Sequence, residues 1–270
     1  MMLRIGEINY LNCTPLFTAL RNTCPASVYQ FISGHPSELN KKLRVGDIDL
    51  CPSSSIEYAL HPELYRIVPD LSISSRGPVK SVLLFSRLPI DALDGASIGL
   101  TSESETSVIL LKILLTLKFS FANSYARADV DLNRPYQHDA LLLIGDKALL
   151  AATEKRSGYL YDLGELWYEF TGKPFVFALW LLRDDALLKS AEAVYLLQER
   201  LVSAKNTAIG SLTEIASTLK QTIWTSDFLI NYWHVISYDL TQDHIDGLKL
   251  FYHYAAECGF IEAEPQLRML

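Results

Sequence analysis

Three times between Leu3 and Leu117 an apolar run of strand length gives way to a hydroxyl- or amide-rich turn and then to an apolar run of helical period. This alternation constrains the fold more than any other feature, because a helix after a strand carries the chain back to a parallel position in one sheet. Residues 3–8 read as a strand, and Asn9-Tyr10-Leu11-Asn12-Cys13-Thr14-Pro15 as the turn before an apolar helix containing Leu16, Phe17, Ala19 and Leu20. Thr14 is the expected N-cap, and Pro15 suits the first helical position, where its missing N–H costs nothing. Residues 28–32 form a second expected strand, and residues 36–43 a short helix closed by Gly46. Residues 48–52 then run as a strand into Ser53-Ser54-Ser55 and a helix from Ile56 to Leu60. The third junction has the most hydroxyls: residues 97–100 end at Thr101-Ser102-Glu103-Ser104-Glu105-Thr106-Ser107, followed by a helix from Val108 to Leu117.

Further along, Val79 to Phe85 is strand-like with Lys80 and Ser81 embedded, and an apolar strand over 139–144 ends in Gly145-Asp146-Lys147. Tyr159 to Phe170 reads as a peripheral aromatic segment. The continuous apolar run from Phe175 to Leu182 suits a strand buried on both faces, and the pattern beyond Arg183 is helical. The expected class is therefore α/β with mostly parallel sheets. A length of 270 residues accommodates one large domain or two small ones. No Gly/Ser linker separates them, so any boundary is crossed by ordered strands, near residues 76–85 and 173–181.

Composition and motifs exclude several classes. Lys and Arg number 24 against 31 Asp and Glu, a net charge of −7, and no basic run exceeds Lys41-Lys42, so no nucleic-acid surface is expected. Glu7 and Asn9 interrupt the only N-terminal apolar stretch, and no window approaches the ~18 apolar residues of a membrane span. A soluble cytoplasmic protein with no membrane partner is expected, with Cys13, Cys24, Cys51 and Cys258 as reduced thiols. Phosphate-loop, nucleophile-elbow and zinc-helix motifs are absent and the six histidines are scattered, so neither a metal nor an organic cofactor is expected, and activity should survive a chelator.

What remains is the set of junctions, where backbone N–H groups and helix dipoles converge on an anionic guest. Ser and Thr at such places also serve simply as N-caps. Asn12 is the leading polar candidate because its amide both donates and accepts, although an Asx-turn role competes. Ser81, a hydroxyl in an apolar strand, either meets a ligand or bonds back to the backbone. Strand alternation points Lys80 to the opposite face.

The chain resembles the chorismate dehydratase family of the futalosine route to menaquinone. The resemblance rests on spaced blocks in order over about residues 3–182: Tyr10-Leu11-Asn12 with Pro15-Leu16, Gly46-Asp47-Ile48-Asp49, Ser54-Ser55-Ile56-Glu57-Tyr58 and Asp70 to Ser75. Gly77 to Ser86, Leu100 to Ser104, Leu143 to Leu149, Tyr161 to Glu165 and Pro174 to Trp180 continue it. Cys13 stands where the family pattern has Thr, and Cys51 and Ser53 where it has small or aliphatic residues.

The resemblance implies a two-lobed type II periplasmic-binding-protein-like α/β fold with a cleft between the lobes. Lobe one would comprise residues 1–77 plus 180–270, and lobe two residues 78–179. It implies dehydration of chorismate, a small dicarboxylate, to 3-[(1-carboxyvinyl)oxy]benzoate. Asn12 and Ser81 would act in catalysis, and Ser54, Thr101, Ser102, Thr106, Ser107, Gly145 and Asp146 in substrate binding. No histidine lies in the matching blocks, and Glu57, Glu103, Glu105 and Asp146 would each have to approach a dianion, so a substrate carboxylate is the expected base. The alternative is a non-catalytic small-anion binding protein of the same fold, disfavoured by the missing export signal and missing DNA-reading helix.

Overall fold

The computed structural model describes residues 2–25, 27–128, 137–154, 158–219 and 223–270. The chain divides into two compact units: Met1–Ser74, Ala178–Thr241 and Pro265–Leu270 form the first, and Ser75–Phe177 with Gln242–Glu264 the second.

In the first unit, strands β1 (Leu3–Ile8), β2 (Tyr29–Gly34), β3 (Leu50–Ser54), β4 (Tyr65–Ser75) and β10 (Phe175–Arg183) form a sheet in the order β2-β1-β3-β10-β4. β1 is parallel to β2 and β3, as the strand–helix alternation requires, with helices α1 (Thr14–Thr23) and α2 (Pro36–Val45) between them in sequence. Gly46 closes α2 in the left-handed region at φ 84°, and α3 (Ser55–Leu60) follows β3 directly. The long helix α7 (Asp184–Gly210), kinked at Ser190, packs against α1. Buried Leu16, Phe17 and Leu20 supply α1's apolar face, and Phe17 meets Trp180 of β10 at 5.5 Å between ring centroids. The remaining helices are α8 (Leu212–Thr218) and α9 (Ser226–Trp233).

In the second unit, β5 (Val82–Ser86), β6 (Ser97–Leu100), β7 (Ser124–Arg127), β8 (Ala140–Ile144) and β9 (Tyr159–Asp162) are ordered β7-β6-β8-β5-β9. Helices α4 (Glu105–Ile113), α5 (Gly145–Thr153) and α6 (Leu163–Thr171) follow β6, β8 and β9. Leu83, Phe85, Leu141, Leu143, Ala148 and Ala151 make one buried cluster of this unit.

Four expectations are corrected. Both sheets are mixed rather than mostly parallel: β10 runs antiparallel to β3, and β5 antiparallel to β8 and β9. Cys13, not Thr14, occupies the N-cap of α1, and the Thr14 hydroxyl donates instead to the Tyr10 carbonyl at 3.3 Å. Val79–Ser81 lies outside the strand, which begins at Val82, because Lys80 adopts φ 63° and its N–H is taken by a side chain. Helix α10 (Gln242–Glu257), expected with the C-terminal third in lobe one, packs within the second unit. Phe251 of α10 meets Phe175 at 4.9 Å and Trp167 at 6.3 Å, and Gly247 comes so close to Pro174 that an added Cβ would lie 2.2 Å from its carbonyl oxygen.

β4 was not anticipated. Its Ser-rich end finds its partners at residues 237–239: Ser74 and Ser237 exchange backbone hydrogen bonds of 2.9 and 2.8 Å, and Ser72 N–H donates to the Tyr238 carbonyl at 3.0 Å. Among the described residues no helix is long and apolar enough to cross a membrane.

Candidate active site

Strand direction decides which sequence candidates meet. In the first unit β1 and β3 are parallel, so the Asn9–Cys13 turn and Ser54 emerge at one edge of the sheet, and Ala178 at the antiparallel β10 register lies opposite Ser54. The turn is tight: Cys13 N–H donates to the Tyr10 carbonyl at 2.9 Å. Two distant side chains clamp it. Trp233 Nε1 donates to the Leu11 carbonyl and Tyr238 Oη to the Asn12 carbonyl, both at 2.7 Å. Burial, reinforced by Cys13 and Tyr232, pushes the Tyr238 phenol well above its ordinary value, so it stays a donor. With the backbone held in this way, the Asn12 Oδ1 atom is buried and makes no hydrogen bond within the protein. Such an atom costs ~1–3 kcal/mol unless a bound group satisfies it.

Ser54 is buried, and its hydroxyl does not cap α3; it accepts from Asn40 Nδ2 at 3.0 Å. Accepting there leaves the Ser54 proton to donate, the polarity an anion requires. The sequence does not single out Asn40, since an amide in mid-helix beside Lys41 and Lys42 reads as surface. Its burial follows from the face it shares with Leu39 and Leu43.

In the second unit β6 and β8 are parallel and β5 antiparallel to β8, so the ends of β6 and β8 and the start of β5 share one edge. Ser81, the Thr101–Ser107 turn and Gly145-Asp146 all stand there. Gly145 N–H donates to the Ser81 carbonyl at 2.7 Å, and Gly145 itself has φ 59°, a conformation that favours glycine. Ser81 is buried, and its hydroxyl donates back to the Val79 carbonyl at 3.4 Å, the backbone bond that competes with a ligand contact. Lys147 pairs with Glu103 and so ties the α5 start to the third junction.

Within that junction the hydroxyls divide. Ser104 is the N-cap, accepting from Ser107 N–H at 3.2 Å, and its hydroxyl lies 3.0 Å from that of Ser107. Thr101 Oγ1 accepts from Glu103 N–H at 3.1 Å, which leaves its own proton to donate. Thr106 is fully buried, whereas Ser102 is exposed and Asp146 half-buried.

The carboxylates are engaged elsewhere. Glu57 forms a two-pronged ion pair with Arg44, at 3.0 and 2.7 Å, and accepts from Tyr65 Oη at 2.9 Å. Glu103 holds Lys147, and Glu105 lies 3.2 Å from Arg127. Asp162 accepts backbone N–H groups from Val79, Lys80, Gly164 and Glu165; burial nevertheless outweighs these bonds and raises its pKa. Among the described residues no group of three or more His, Cys, Asp and Glu is placed to hold a metal ion.

A family model described as menaquinone biosynthesis matches residues 3–257. A chorismate dehydratase of Thermus thermophilus is 31% identical over 264 residues, covering 92% of this chain and 93% of its own. Another, from Campylobacter jejuni, is 33% identical over 177 residues, 64% of each chain. Among solved structures, an Archaeoglobus fulgidus protein superposes with a TM-score of 0.75 at 19% identity, covering 96% of this chain and 98% of that one. The alkanesulfonate-binding protein of Xanthomonas axonopodis gives 0.65 at 16% identity, with 99% and 96% covered. At such identities these structures speak for the fold alone, which is that of the periplasmic binding proteins.

Proposed function

The chain belongs to the menaquinone biosynthesis family, and from that membership we infer that it removes water from chorismate to give 3-[(1-carboxyvinyl)oxy]benzoate. The single observation that carries this reading is the match to a chorismate dehydratase over nearly the full length of both chains. The enzyme is a hydro-lyase of menaquinone biosynthesis. Its four cysteines form no disulfide, which fits a cytoplasmic setting.

The substrate carries two carboxylates. Hydroxyl protons at Ser54 and Thr101 and the backbone at Gly145-Asp146, with Ser102, Thr106 and Ser107 beside them, are our assignments for binding these anions. Asn12 and Ser81 are assigned to the reacting part of the molecule. The ring proton beside the ether oxygen is vinylogous to the ring carboxylate, so hydrogen bonds to that carboxylate acidify it. As the proton leaves, its electron pair enters the ring, the neighbouring C–O bond breaks, the departing hydroxide takes up the abstracted proton from the base and leaves as water, and the ring becomes aromatic. The enolpyruvyl carboxylate lies near that proton within the substrate itself, and we assign it as the base. The protein then supplies conformation and charge stabilisation. The engagement of Glu57, Glu103 and Glu105 in ion pairs supports this assignment.

Replacing Glu57, Glu103 and Glu105 singly by Gln should leave turnover per folded molecule within about tenfold of the starting enzyme, far short of the loss expected for a general base, ~10²–10⁴-fold. Steady-state kinetics beside chorismate binding checks this. A carboxylate whose amide variant, Asp146→Asn included, binds chorismate normally yet has no turnover would be the base instead.

A further inference from the structure

The segment before β5 is held in an unusual way. Lys80 is exposed and not a glycine, yet it sits at φ 63°, a left-handed conformation that a side chain disfavours. Nothing in the lysine side chain explains this; the cause is the carboxylate of Asp162. Its Oδ2 accepts the N–H of Lys80 at 2.6 Å, and the Val79 N–H is shared between Oδ2 at 3.0 Å and Oδ1 at 3.1 Å. Its Oδ1 accepts from Gly164 at 2.9 Å and Glu165 at 3.3 Å, capping α6. A cap needs only one of these oxygens. The second reaches 82 residues back along the chain to the backbone next to Ser81.

The approach is built in at Gly164 as well. An added Cβ there would lie 2.6 Å from the Gly77 carbonyl oxygen and 2.8 Å from Ser75 Oγ, so the start of α6 lies directly on the segment that leads to Ser81. On the far side, Gly145 N–H fixes the Ser81 carbonyl at 2.7 Å. Ser81 is thus gripped through the backbone on both flanks, by Asp162 through residues 79 and 80 and by the first residue of α5.

Resting on the assignment of Ser81 to the reacting part of chorismate, we propose that Asp162 is a positioning residue that holds Val79-Lys80 in the left-handed turn and thereby aims the Ser81 hydroxyl. The carboxylate has no chemical role of its own. Oδ1 serves the helix and shares the Val79 N–H, and Oδ2 serves the turn alone.

Asp162→Asn separates the two tasks. An asparagine caps a helix as well as an aspartate does, so α6 and global stability are kept. Its NH₂ in place of Oδ2 would face the Lys80 N–H donor to donor and leave the Val79 N–H with Oδ1 alone. The expected result is kcat lowered by ~10-fold with KM within ~3-fold, the pattern of a transition-state contact loosened rather than lost binding. Amide hydrogen exchange at Val79 and Lys80 should accelerate by ~10-fold or more while the amides of α6 stay protected. In a Ser81→Ala background Asp162→Asn should lower kcat no further, since groups acting as a unit are non-additive.

Equal loss of kcat in both backgrounds would overturn the proposal, and so would unchanged exchange at Val79 and Lys80. If Ser81→Ala alone leaves kcat untouched while Asp162→Asn lowers it, Asp162 acts by another route and the proposal falls together with the role of Ser81. Failure of the unaltered enzyme to convert chorismate would refute the functional reading only, and the exchange measurement would then decide the positioning claim by itself.

Discussion

Asn12→Ala should lower kcat by ~10²-fold or more while chorismate affinity changes little, the scale set by loss of one donor to a developing oxyanion. Trp233 and Tyr238 hold the carbonyls of Leu11 and Asn12, so truncating the side chain leaves the backbone where it was. The Asn12 Oδ1 atom makes no bond within the protein, so the variant loses no internal contact of that atom. The ligand-free variant should therefore be no less stable than the parent, and more stable by up to the ~1–3 kcal/mol that the unpartnered oxygen costs. Asn12→Asp should be at least as harmful. At 4 Å and an effective dielectric near 20, a new carboxylate repels a substrate carboxylate by ~4 kcal/mol. Kinetics with a parallel binding titration checks both variants. Near-normal turnover and binding by Asn12→Asp would make Asn12 a turn former only, and the assignment would move to Ser81 and the Ser102–Ser107 turn.

Trp167→Ala should be the most damaging change to stability, at ~3–5 kcal/mol. Trp167 is fully buried, and its ring meets Phe175 at 5.2 Å, Phe251 at 6.3 Å and Tyr254 at 6.1 Å. Those contacts join α6, β10 and α10, so the cavity would open where α10 is fastened to the second unit. A domain of this size loses ~2–4 °C per kcal/mol, and a melting point lower by ~10 °C follows. Trp167→Phe should cost much less, because Trp167 Nε1 is already buried without a partner and an apolar ring forfeits no hydrogen bond. Calorimetry on both variants provides the check. Equal losses for Ala and Phe would show that the aromatic cluster does not hold α10.

An element is legible in the sequence when the interactions that form it are local. β1, β6 and β8 are legible because each is an apolar run ended by a local junction, and α2 is legible because Gly46 stops it within the same segment. The positions of Asn12, Ser54 and Gly145 at strand ends are legible for the same reason, whereas Ser81, expected inside a strand, precedes β5. β4 was hidden because Pro69 interrupts the pattern and because Ser72 and Ser74 find their partners at residues 237–239. The place of α10 depends on a close approach of Gly247 to Pro174 and on aromatic contacts of Phe251, none of which leaves a local trace. The residues behind the site were illegible in a further sense. Asp162, Trp233 and Tyr238 act on backbone groups 82 to 226 positions away, and a backbone partner has no side-chain signature to match. Asn40 escaped notice because its polar type contradicts its burial.

The reading of the junction hydroxyls also changes with the structure in hand. Capping explains Ser104 and engages Ser107, but it does not explain Ser54, whose hydroxyl is turned to Asn40, nor Asn12, whose amide oxygen has no partner in the chain. Those two residues are where local rules fail to account for the side chain, the pattern expected where a site has shaped the sequence.

The central claim is dehydration of chorismate, and the direct measurement is to incubate the purified protein with chorismate alone, following the ultraviolet spectrum of the ring and the mass of the product. The account predicts an aromatic product lighter than chorismate by one water, formed in proportion to enzyme and time. Chorismate recovered unchanged from a protein that demonstrably binds it would contradict the account and identify a non-catalytic binding protein of the same fold.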